Sequence, residues 1–315
     1  MRNYAETYLQ PLVAGLLALV VLIGLIGPAI KSPSPHDIPI GIVAGGGSQF
    51  AFASSGGPFT VTTYDSEHAA RQAIDSHDID GALVLGPGGP KLIVAGAAGA
   101  AVTGVITGAF TQLFQKQGQA LQVEVVHPFA SGDPHGLILF FVVLAILIST
   151  LIANALAGLR REGGFMSRLL IVLIFAVVAA PVAMGVATWI AGDYGSGFWT
   201  ATALVALGSA AVGAAVAGAA RLLGRPGVAL AALIAVLLDL VCSGGPIGSQ
   251  LLPDAYRSLA PGMPAGQLYG AIRGALYFDG AGLATPITVL AIWFAGGIVL
   301  LLLGELVSRR RAAHG

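Results

Sequence analysis

The chain has 315 residues, of which 56% are hydrophobic and 10% charged, with a mean hydropathy of +0.86 and zero formal net charge. Soluble domains carry roughly 25% charged residues, so a mostly wetted surface is excluded, and the charge balance removes the electrostatic footprint of a nucleic-acid binder. One cysteine, Cys242, excludes an intrachain disulfide.

Crossing a bilayer takes about 20 apolar residues in a helix. The first such run, 12–30, is longer than the apolar stretch of a signal peptide. No small-residue cleavage pattern follows it before Lys31, so it reads as an uncleaved anchor. Residues 36–135 then read as a small α/β domain. Strands are predicted at 38–43, 59–64, 81–85, 91–94 and 121–126, from short β-branched or alternating runs. Gly45, Gly46 and Gly47 read as a turn rather than a phosphate loop, because no lysine accompanies them. Asp65, Ser66 and Glu67 open a helix with the acidic first turn that the helix dipole favours, and a second helix is predicted over 97–117.

Further spans are predicted at 137–159, 169–190, 198–220, 228–242 and 287–307, the fourth of these starting after Pro226 and Gly227. Residues 92–110 are also free of charge, but Ala, Gly and Thr contribute little transfer energy. With six spans and a cytoplasmic N-terminus, nine of the fifteen Lys and Arg fall on the inside: Arg2, Arg160, Arg161, Arg168, Arg221, Arg225, Arg309, Arg310 and Arg311. A seventh span at 92–110 would carry eight of these nine outside, against the positive-inside rule.

The expectation is therefore a mainly α, polytopic membrane protein with six transmembrane helices. Residues 1–35 hold the N-terminal segment and first span, 36–135 an extracytoplasmic α/β domain, and 136–315 five further helices. Before the last of them, residues 251–278 form two short helical patterns broken at Pro261-Gly262. The second starts at Pro264 and repeats Leu268, Ile272 and Leu276 on one face. This stretch is too short to cross and too apolar to float free, which predicts a re-entrant or interfacial hairpin.

Asp239 is the one ionisable residue well inside a span, where such a residue marks a polar cavity, a proton relay or a paired structural site. Arg257 and Arg273 are the basic residues of the outer connection, and Arg273, on the apolar helix, is the expected partner of Asp239. Glu305 is expected to pair with Arg309 one turn on. Ser209, Gly213 and Ala217 recur every four residues, as do Ala210, Ala214 and Gly218, two small-residue stripes that allow close helix packing. Asp75, His77, Asp78 and Asp80 have the residue types of a divalent-cation site, although a solvated acidic loop is the simpler reading. His68, His127 and His135 show no ligand spacing and read as surface or turn residues. No nucleotide-binding, zinc-protease or nucleophile-elbow motif occurs, so neither an enzyme nor a cofactor is indicated.

The order of these parts, with Asp133, Pro134, His135 and Gly136 leading into a Phe-rich span and Pro253, Pro264, Arg273, Tyr277, Phe278, Asp279 and Gly280 in the outer connection, resembles the phage-infection-protein (YhgE/Pip-like) membrane proteins. More broadly it is similar to the type-2 ABC exporter permeases. The resemblance implies a six-span protomer in a bacterial plasma membrane, both termini cytoplasmic, that dimerises and moves an amphipathic or lipid-like substrate. It also implies a separate ATPase subunit. Here the chain departs from such permeases: the first cytoplasmic loop is short, and Gly163-Gly164 disfavours a coupling helix. The rival expectation is a non-transporting envelope scaffold, receptor or secretion accessory that presents its extracytoplasmic domain.

Overall fold

A computed structural model describes residues 9–31, 34–44, 57–160 and 163–313 of the chain. The predicted glycine turn at 45–47 and residues Arg2 and Arg161 lie outside them. Five helical runs are long and apolar enough to cross a membrane: Leu137–Leu159, Phe165–Ala191, Gly195–Leu223, Arg225–Ile247 and Ala284–Arg310. The protein is thus a multi-pass membrane protein by the length and composition of its helices. The N-terminal helix, α1 (Gln10–Lys31), contributes a shorter apolar run, Gly15–Ala29.

The bundle is built around α6 (Phe198–Leu223), which is mostly buried, with α4 (Leu137–Leu159), α5 (Phe165–Ala191) and α11 (Ala284–Ala313) packed on it. Lipid tails are as apolar as leucine, so helices in a membrane associate through close packing rather than hydrophobic exclusion. The composition of α6 follows from this. A Cβ at Gly218 would stand 2.7 Å from Leu300 Cβ and 2.8 Å from Leu301 N, and one at Gly297 would overlap the backbone nitrogen of Ala215. Ala210, Ala214 and Gly218 therefore face α11. On the other side, Ser209 Oγ meets Thr150 Oγ1 at 2.8 Å, a Cβ at Gly213 would press on Asn154, and one at Gly158 would press on Ala217. Both small-residue stripes are consumed inside the protomer.

The fourth of the long runs starts as α7 (Arg225–Ala232) with Pro226 in its first turn, passes through a π-helical stretch at Leu233–Leu238, and ends in α8 (Asp239–Cys242). The predicted hairpin is unequal. Its first arm is one turn, α9 (Asp254–Arg257), and its second is α10 (Pro264–Tyr277), which is packed against α4, α6 and α11. Leu268 and Ile272 are fully buried there, and Leu268 fills the space left by Gly208.

The α/β domain has one five-stranded sheet of β1 (Ile38–Ala44), β2 (Phe59–Tyr64), β3 (Gly81–Gly86), β4 (Gly89–Ala95) and β5 (Gln122–Val126), ordered β2-β1-β3-β4-β5. The β3–β4 pair is antiparallel and every other pair is parallel. Helix α3 (Ala100–Lys116) covers one face, where Leu83, Leu92 and Val94 meet Ile106, Phe110 and Phe114. Helix α2 (Glu67–Asp75) covers the other, over Ala82, Ile93 and Ala95. The charge-free stretch 92–110 is thereby divided between a strand and a helix.

Candidate functional site

The α/β domain does not close its core alone. Phe278, at the end of α10, joins the core on the α2 side, and Leu251 joins the core on the α3 side. The connection that precedes α11 thus grips the sheet from both faces. Burying a side chain of this size is worth about 1.5–3 kcal/mol when the alternative is water.

Helix α10 positions this junction, and its own ends explain how. Pro264 occupies the first turn, where a missing N–H costs nothing, and the next free N–H, that of Ala265, donates to both oxygens of Asp239 at 2.8 Å. Asp239 is completely buried. A carboxylate at a helix N-terminus gains both a hydrogen bond and the favourable end of the dipole. The expected pairing with Arg273 is therefore replaced by a backbone cap. Arg273 lies two turns further along α10, where its Nη1 donates to the carbonyls of Ala97, at 3.1 Å, and Ala98. Its guanidinium also stands 4.8 Å from the centre of the Tyr269 ring.

The residues that carried the family resemblance mostly meet here. Asp133 Oδ2 accepts from the N–H groups of Ile138 and Leu139 and caps α4. Gly136 turns the chain at φ 70°, and a Cβ there would clash with Phe129 at 2.6 Å. Tyr269 donates to the Gly136 carbonyl, and the Tyr277 hydroxyl accepts from Ala130 N–H while its ring meets Phe129 edge-on. Phe278 stacks on His77 with centroids 4.2 Å apart. Pro264 starts α10; Pro134 sits in an exposed turn and Pro253 precedes α9, so neither joins the seam.

Between the sheet and the connection that precedes α11 lies a polar cleft of about 340 Å³, lined by His77, Asp80, Gln250, Arg257, Arg273 and Gly245 among others. Arg257 is held by Asp37 at 2.6 Å and Asp254 at 2.8 Å. Burial pushes the Asp80 carboxyl up to about 6, outweighing the opposing field of Arg273. Burial pulls His77 down to about 4, reinforced by Arg273 and His127. An apolar groove of about 190 Å³ adjoins, lined by Ile26, Phe140, Leu240, Val241 and Leu252, and it shares Gly245 with the cleft. A larger apolar groove of about 570 Å³ runs between α4 and α5.

The acidic loop does not converge on a metal position. Asp75 pairs with His127 at 2.7 Å, Asp78 is exposed, His77 stacks and Asp80 turns into the cleft. Among the described residues no group of three or more His, Cys, Asp or Glu comes together.

At the far end of the bundle Glu305 meets Arg309 at 3.4 Å as expected, and also Arg168 and Arg221, each at 3.3 Å. Sequence reasoning passed over Tyr269 and Gln250. Tyr269 was findable, one turn before Arg273 on the same helix face; Gln250 carried no signal. Comparison of the chain with protein-family models, curated proteins and solved structures finds no match.

Proposed function

We propose that this protein is an exporter-type membrane permease subunit that handles an amphipathic, lipid-like substrate. The observation that carries the reading is the polar cleft and the apolar groove meeting at Gly245. A head and a tail need such neighbouring surfaces, one polar and one apolar. In this reading α1 is a sixth span, the α/β domain and cleft face outward, and both termini are cytoplasmic. The basic residues around Glu305 support that orientation through the positive-inside rule. The resemblance to YhgE/Pip-like and type-2 exporter permeases supports a homodimer in a bacterial plasma membrane. With both small-residue stripes of α6 used internally, such a dimer would have to form through other faces.

A second reading is a non-transporting envelope scaffold. It is favoured by the connection between α4 and α5, which among the described residues carries no helix for an ATPase subunit to engage.

The test is reconstitution of the full chain into liposomes containing a fluorescent phospholipid, with an impermeant quencher reporting leaflet exchange. Faster exchange than in protein-free vesicles is expected, and Val241→Trp, which fills the groove, should slow it severalfold. Exchange no faster than in empty vesicles, with and without a supplied ATPase subunit, would leave the scaffold.

A further inference from the structure

The cleft leaves two of its charged groups short of partners. Asp80 is only 4% exposed, and among the described residues the side-chain hydrogen bond to its carboxylate is a long one, 3.3 Å from Gln250 Nε2. Its backbone is fixed at the start of β3: Asp80 N–H donates to the Pro39 carbonyl and its own carbonyl accepts from Ala95 N–H. Arg273, which also lines the cavity, spends Nη1 on Ala97 and Ala98, while among the described residues its Nη2 has no hydrogen-bond partner. A buried charge left in this condition is costly, and an occupant of the cavity that pairs with it and with the unused guanidinium donor would offset that cost.

The missing partners define a chemistry. Asp80 lacks N–H donors with positive charge, and Arg273 Nη2 lacks an acceptor with negative charge. The other charged side chains of the lining do not fill either need. Arg257 is bound to Asp37 and Asp254, and His77 is stacked on Phe278. The cavity volume of about 340 Å³ is in the range of small-molecule sites, roughly 300–1,000 Å³. Gly245 lines both the cleft and the apolar groove along Leu240, Val241 and Leu252.

We propose that the cleft binds the head of a zwitterionic phospholipid carrying a primary ammonium, with the ammonium at Asp80, the phosphodiester at Arg273 and the acyl stem in the groove. This deepens the amphipathic-substrate reading and rests on it. Ammonium to carboxylate and guanidinium to phosphate are charge-assisted hydrogen bonds, about twice as strong as neutral ones. A choline head, lacking N–H, offers Asp80 charge without a hydrogen bond, and a glycerol head offers hydroxyl donors without positive charge.

Binding would be measured by calorimetry on the full chain in detergent, with short-chain phosphatidylethanolamine, phosphatidylcholine and phosphatidylglycerol, and with glycerophosphoethanolamine as the tail-less head. The ethanolamine lipid should bind about tenfold more tightly than either other lipid, and the tail-less head at least about tenfold more weakly than its lipid. Asp80→Asn should abolish the preference for ethanolamine without lowering the melting temperature of the ligand-free protein, because it removes an under-partnered charge. Arg273 also ties α10 to the domain, so the isosteric Asp80 variant carries the test. Equal binding of the three lipids, or selectivity kept by Asp80→Asn, overturns the assignment. A tail-less head that binds as tightly as its lipid overturns it too. Selective binding without leaflet exchange would leave this site standing and sink transport alone.

Discussion

Asp239 and Arg273 were the residues from which an ion pair was expected, and each instead satisfies a backbone. The carboxylate caps the N-terminus of α10 and the guanidinium takes carbonyls at Gly96–Ala98, the short turn after β4. Eight residues of helix separate Ala265 from Arg273, a rise of about 12 Å. Their energetics should be independent. Asp239→Ala leaves the Ala265 N–H without its acceptor and should cost about 1–3 kcal/mol. Arg273→Gln should cost a similar amount by freeing the domain from α10. The double variant should lose the sum to within about 0.5 kcal/mol, as non-contacting sites do. Unfolding in mixed detergent micelles checks this. A double variant more stable than either single one would restore the ion pair.

The elements divide into those written in local pattern and those set by partners far along the chain. Strands, both domain helices and the long apolar helices were legible, because period, length and turn chemistry are local properties. The start of α10 at Pro264 was legible for the same reason. Its docking was not, since Arg273 reaches carbonyls 175 and 176 residues away, and a carbonyl is present at every position and advertises nothing. The small-residue stripes were legible as packing faces, though not which helix each would meet. Their glycines now differ predictably from others. Gly218→Ala puts a methyl group against Leu300 and the backbone of α11, with backbone on both sides unable to yield, and should cost about 1–3 kcal/mol. Gly104→Ala, on the open face of α3, meets nothing within 4 Å and should stabilise by about 0.5–1 kcal/mol through helix propensity. Melting of the two variants in the same detergent gives opposite shifts; a shared sign would contradict the packing of α6 against α11.

At the scale of the molecule, the junction holds the sheet to the bundle with groups whose titrations oppose one another. His77 titrates near 4 in the folded protein, below its usual 6.5, so the unfolded chain binds the extra proton between those values. Its contribution is complete above pH 6.5 and is lost as pH falls toward 4. Asp80 titrates near 6 instead of 3.8, so the folded protein holds the extra proton. Its contribution is complete below pH 3.8 and is lost as pH rises toward 6. Each shift of about two units corresponds to roughly 3 kcal/mol, and between pH 4 and 6 the two slopes have opposite sign. The Glu124 carboxyl, drawn down to about 2 by hydrogen bonds from Arg71 and Lys91, titrates below this window. The pair should therefore leave the native protein with little net slope of its own, and single substitutions should uncover each half. Relative to the native protein, Asp80→Asn should lose stability on acidification from pH 6 to 4, with His77 left unopposed. His77→Phe, which keeps an aromatic ring against Phe278, should gain stability over the same range as Asp80 takes up its proton. Taking differences from the native profile cancels the other carboxylates. Melting temperature against pH for the three proteins is the measurement, and three parallel curves would mean that the junction is not where these protons are bound.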